Sequence, residues 1–213
     1  MDRALAAARG RVRAAAALTL AALATGLALP ASDGLAAGGR YAFNGGTKGQ
    51  REQVRLALEA SAFDWDLIPA EVQIRIVPGV VPHSRPGVIW LDGRLLSSGE
   101  FAWAIVQHEY AHQIDYFLLG ESERATLKDA LGGQAWCRND EPGLPHNAYG
   151  CERFASTVAW AYWPDAENAY RPILPGDESA AMDPARFRAL LESLLAPAAA
   201  KRTLLLHPDG ERR

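Results

Sequence analysis

Two histidines four residues apart, with a glutamate directly after the first, stand in the stretch Gln107-His108-Glu109-Tyr110-Ala111-His112-Gln113-Ile114-Asp115. On an α-helix, side chains four apart lie one above the other on the same face, about 6 Å apart along the axis. Two imidazoles so placed can reach one ion, and zinc accepts such nitrogen donors readily. Glu109 projects about 100° around the helix from His108, within reach of water at that ion but not competing for the ion itself. That is the position of a general base. Together these residues spell His-Glu-x-x-His, a metal-hydrolase pattern. The alternative is a pair of core histidines that hydrogen-bond to their neighbours and bind nothing.

A catalytic zinc takes three protein ligands and keeps one position open. The third ligand is expected at Glu152, in Tyr149-Gly150-Cys151-Glu152-Arg153-Phe154-Ala155-Ser156, where a second helix opens after Gly150. A glutamate in a first helical turn also suits the helix dipole with no metal present. Asp115 shares the face of the two histidines but sits about 4.5 Å beyond His112 along the axis, so one straight helix does not bring all three to one ion. It reads either as a partner orienting an imidazole or as an ordinary salt-bridging aspartate. Tyr149 and His146 precede Glu152, and either could donate a hydrogen bond to a tetrahedral oxyanion. Tyr149 is the preferred candidate. His83, in a proline-rich loop, is expected to be an exposed loop histidine, and His207 is not expected to be a ligand.

These residues need a scaffold. The run Phe101-Ala102-Trp103-Ala104-Ile105-Val106 ahead of the histidines is apolar on nearly every face, which predicts a buried central helix from about Ser98 to Leu119. Gln50 to Phe63 has apolar residues at helical spacing with charges between them, the pattern of a surface helix. Val72 to Val77 alternates β-branched apolar with polar residues and ends at Pro78-Gly79, a half-buried strand; Val88 to Leu91 reads as a second strand. That second strand could either offer a free edge for an extended peptide or lie inside the sheet. Glu121 to Ala130 reads as another helix, and Asp183 to Leu195 as a last amphipathic one, with Asp183-Pro184 as its cap and first turn. The aromatic residues Trp160, Tyr162 and Trp163 are expected in the core. The fold class expected is α+β, a small mixed sheet packed on helices around a central active-site helix.

Cys137 and Cys151 are the chain's only cysteines and flank a Gly-, Pro- and Asn-rich loop. In an exported chain they would form a disulfide, worth on the order of 3 kcal/mol in the chain-entropy picture. Export is suggested by the N-terminus: Arg3, Arg9, Arg11 and Arg13, an Ala/Leu-rich run from Ala14 to Leu29, then Pro30-Ala31-Ser32. Cleavage as a signal peptide is the favoured expectation and retention as an N-terminal membrane anchor the alternative. Removal of residues 1–31 takes away four Arg and one Asp, so the formal charge moves from -3 to -6. That balance argues against a nucleic-acid partner. The expected organisation is a signal peptide over 1–31, a linker over 32–49, one domain over 50–197 and a polar, unstructured tail over 198–213.

His108-Glu109-x-x-His112 followed by Glu152-x-Phe154-Ala155 resembles the zincin metallopeptidases of the gluzincin type. Asp115 after the second histidine, and the Phe-Ala after the glutamate, are similar in particular to the catalytic domain of anthrax lethal factor and its relatives. The resemblance covers about Glu100 to Trp163. It implies a zincin-like fold and a Zn2+-dependent peptidase acting on peptide or protein substrates, with His108, His112 and Glu152 as ligands and Glu109 as base. The chain departs from the thermolysin pattern at Ser156, where that pattern has an acidic residue. Peptide deformylases also carry Gln-His-Glu-x-x-His, but their upstream cysteine ligand has no counterpart here. Substrate preference and oligomeric state are not legible.

Overall fold

The structure, a computed structural model, describes residues 39–206. The expected signal segment, residues 32–38, His207 and the last residues of the tail lie outside the described residues. The order of elements is β1 (Tyr41–Gly45), α1 (Lys48–Ala60), β2 (Val72–Val77), β3 (His83–Arg85), β4 (Val88–Asp92), α2 (Glu100–Leu118), α3 (Glu121–Leu131), α4 (Gly150–Tyr162) and α5 (Pro184–Leu206). The class is α+β, as expected.

The four strands form one sheet in the order β1-β2-β4-β3. β1, β2 and β4 run parallel, and β3 turns back antiparallel to β4, pairing Ser84 with Ile89. Alternation in β2 buries Val72, Ile74 and Ile76 and leaves Gln73 and Arg75 half-buried. The buried side faces α1 and α2, where Val54, Leu58, Val106, Tyr110 and Ile114 complete the core. Helix α2 is buried at every residue from Val106 to Asp115, so its polar groups need partners inside the fold. Gln107 donates to the Ala57 carbonyl at 2.7 Å. Gln113 accepts from the Gly87 amide at 2.8 Å and donates to the Arg85 carbonyl at 3.0 Å and to the Ser84 hydroxyl. Tyr116 donates to the Ser84 carbonyl at 3.2 Å. Strand β3 is thereby stitched to the helix that carries the histidines.

Three expectations are corrected. The stretch expected as linker contains β1 and the helix cap: Thr47 and Gln50 form a reciprocal capping box at the start of α1. His83, exposed as expected, sits not in a loop but on β3, an edge strand, stacked on Trp90 at 4.5 Å between ring centres, while β4 takes the interior position, one of the two left open for it. α5 continues through Pro197 to Leu206, well into the segment expected to be an unstructured tail. Among the described residues, no helix is long and apolar enough to cross a membrane.

The connection from α3 to α4 sets the position of Glu152. α3 ends at Gly132, whose left-handed φ of 71° lets the Gly132 and Gly133 amides close on the Asp129 and Lys128 carbonyls. A Cβ on Gly133 would stand 2.8 Å from Gly150, so the chain can cross the start of α4 only as glycine. The Gly150 and Cys151 amides then donate to the Ala135 and Trp136 carbonyls, both at 2.8 Å. The Cys137–Cys151 disulfide, as expected, closes the intervening loop. A disulfide is compatible with an exported chain.

Candidate metal centre

Helix α2 brings His108 and His112 to one face, and the first turn of α4 brings Glu152 against them. The Nε2 atoms of His108 and His112 lie 3.3 and 3.4 Å from the same Glu152 oxygen and 3.3 Å from each other. Within this group the possible ligand atoms fall within 4.8 Å of one another, close enough to hold a metal ion. His108, Glu109 and His112 are 4, 6 and 7 % exposed, so little water competes for the site. Two imidazole nitrogens and one carboxylate oxygen suit a tetrahedral ion with one open position, whereas a hard cation would call for more oxygens. The donor set fits such an ion.

The surrounding hydrogen bonds hold the rings in the required state. Ser156 donates its hydroxyl to Glu178 Oε2 at 2.7 Å, which leaves its oxygen to accept from His108 Nδ1 at 3.2 Å. A proton on Nδ1 keeps Nε2 available as a ligand. Glu178 also accepts from His146 Nδ1 at 2.6 Å, and His146 Nε2 lies 3.3 Å from Glu152. One carboxylate therefore orients both a candidate ligand and the histidine beside it. Tyr170 stacks on His108 at 4.8 Å between ring centres. It is held there by Asn168, whose amide group caps the Ala159 and Trp163 carbonyls and accepts from the Tyr170 amide.

Burial and charge divide the ionisable groups. Burial pushes the Glu109 carboxyl up, against the pull of His108 and His112. Burial also acts to raise Glu152, but hydrogen bonds from His108 and His112 outweigh it and hold it far below the usual carboxylate range. For His112, burial works downward and the Glu152 hydrogen bond and charge reverse it, so the ring is raised. His146 is raised chiefly by its bond to Glu178. Glu178, though buried enough to be pushed upward, is lowered by His146 and Ser156.

The expected residues divide cleanly. His108, His112, Glu109 and Glu152 share one cleft of about 440 Å³. Tyr149 lines it too, but its hydroxyl donates to the Glu141 carbonyl at 2.9 Å and accepts from the Leu144 amide at 3.1 Å. It pins the loop, and the residue beside Glu152 with a nitrogen to offer is His146. Asp115 orients neither imidazole: it is buried and binds Arg124 Nε at 2.7 Å and Trp136 Nε1 at 3.1 Å. Glu178 had no signal in the sequence, because it lies 26 residues past Glu152, at the start of a short 3-10 turn (Glu178–Ala181) that follows a loop. Of the aromatic residues expected in the core, Trp163 and Tyr162 are buried, Tyr162 edge-on to Phe63, while Trp160 is only half-buried.

No protein-family model matches the chain, and comparison with curated proteins and with solved structures finds no significant match.

Proposed function

We propose that this chain is an exported zinc-dependent peptidase that hydrolyses peptide bonds with water. The observation that carries the reading is the convergence of His108, His112 and Glu152 from two helices, with Glu109 buried in the same cleft. When bound by these three residues, zinc supplies Lewis acidity, polarising a carbonyl and acidifying water. Glu109, one position along α2 from His108, takes the proton from the attacking water and passes it to the leaving amine. His146, fixed at Nδ1 by Glu178, turns Nε2 to the cleft, where it can hydrogen-bond the oxygen on which charge develops. Ser156 and Glu178 keep His108 in its ligating tautomer. The zincin resemblance points to the same ligand set and base.

Glu109→Gln tests this: zinc is retained and hydrolysis of a casein or peptide-library substrate falls about a hundredfold or more. Loss of zinc together with activity would contradict the assignment of Glu109 as base.

One observation favours a second reading, an exported zinc-binding domain without turnover. His146 Nε2 is 3.3 Å from the same Glu152 oxygen that meets the two helix histidines, and a fourth protein ligand is the mark of a closed structural site. His146→Ala separates the readings. A catalytic site keeps its zinc affinity and loses turnover; a closed site loses affinity and has no turnover in the parent chain.

A further inference from the structure

Most arginines of the described chain have evident partners. Arg124 binds Asp115, Arg153 the Leu131 and Asn147 carbonyls and Arg188 the Ala161 carbonyl, while Arg75 and Arg85 lie over Trp90. Arg138 lines the cleft that holds His108, His112 and Glu152, its side chain is exposed, and it has no ion pair or side-chain hydrogen bond with any described residue. Arg94, Arg171 and Arg186 likewise make no side-chain hydrogen bond or ion pair with a described residue, but among these arginines only Arg138 lines the cleft.

Its backbone is nevertheless held tightly. Cys137 is tied by the disulfide to the residue before Glu152, and the Cys137 amide donates to Asp140 Oδ2 at 2.8 Å. The Asp140 amide returns to the Cys137 carbonyl at 2.9 Å. This turn presents Arg138 and Asn139 together to the cleft. The nearby carboxylates do not satisfy the guanidinium: Glu152 is engaged by three histidines, Asp140 caps its own turn, and Glu109 forms no ion pair with it. A planar fork of five donors, unpaired and carried on a fixed backbone turn, is suited to bidentate contact with a carboxylate.

We infer, resting on the peptidase reading above, that Arg138 and Asn139 form an anionic subsite that takes a carboxylate of the peptide substrate. That carboxylate is either an acidic side chain near the scissile bond or a free C-terminus. Because Arg138 is exposed, the preference is expected to be about tenfold and to weaken as salt rises.

The test uses the zinc-loaded Glu109→Gln form of the mature chain and three fluorescent hexapeptides. One is neutral with an amidated C-terminus, one carries internal Glu with the same amide, and one is neutral with a free C-terminus. Fluorescence anisotropy is expected to give a Kd about tenfold lower for one of the two carboxylate peptides than for the neutral amide, and the arm that gains identifies the source. The advantage disappears when Arg138→Gln is added, while zinc content stays at the parent level. Equal binding of all three peptides, no binding of any, or an advantage that survives Arg138→Gln would overturn the subsite. Turnover of the same peptides by the chain with Glu109 intact reports separately on the peptidase reading. Charge-dependent binding without turnover supports the subsite and contradicts the peptidase, and turnover without charge preference does the reverse.

Discussion

Glu109 and Glu178 are both shielded from water, yet their surroundings drive them in opposite directions. Glu109 is raised by burial, whereas Glu178 is lowered by His146 and Ser156. The first is the residue proposed as base; the second is held by its bonds to His146 and Ser156. Ser156→Ala cuts the link from Glu178 to His108 but leaves the His146–Glu178 bond, so zinc affinity, measured by chelator competition, should fall about tenfold. Glu178→Ala removes both links and should cost at least as much affinity and lower kcat further; Glu178→Gln should restore part of the loss. An unchanged zinc Kd in both alanine variants would contradict the orienting role. His108, His112 and Glu152 were legible because a metal site needs a fixed spacing on one helix and a carboxylate on another. Spacing alone preferred Tyr149 to His146, and it could not show that the Tyr149 hydroxyl is held by Glu141 and Leu144 while His146 Nε2 lies beside Glu152, because loop hydrogen bonds are not encoded in spacing.

Helices α1 to α4 were readable in the sequence, α1 from apolar periodicity and α2 from a run apolar on nearly every face, and β2 from its alternation. The elements missed are those whose existence depends on contacts distant in sequence. β3 is three polar residues, His83-Ser84-Arg85, held by β4 on one side and by Gln113 and Tyr116 of α2 on the other. β1 is a short run beside glycines that gains its strand from pairing with β2. The end of α5 was obscured by Pro197, a residue that ordinarily interrupts a helix. The loop from Cys137 to Cys151 carries both Arg138 and His146, and its closure should matter to the whole domain. Replacing both cysteines by alanine should lower stability by about 3 kcal/mol, a fall in Tm of about 6 to 12 °C for a domain of this size. Thermal unfolding measured by circular dichroism checks this, and an unchanged Tm would mean that the loop is fixed by the Ala135 and Trp136 carbonyl bonds alone.

For the molecule as a whole, the centre ties α2 to α4, the two helices at the middle of the fold. An ion bound there stabilises the folded chain by mass action, by about 2.7 kcal/mol at a free concentration a hundred times Kd. The Tm of the purified chain should therefore rise with added zinc and fall with a chelator, and the chelator should have no effect on the Glu152→Ala variant. Zinc content of the purified chain, set beside that same variant by elemental analysis, decides whether His108, His112 and Glu152 form a metal centre. About one zinc per chain, lost or much weakened in Glu152→Ala, is the expected result. A parent chain that binds no zinc after reconstitution would contradict it and leave the two histidines as hydrogen-bonded core residues.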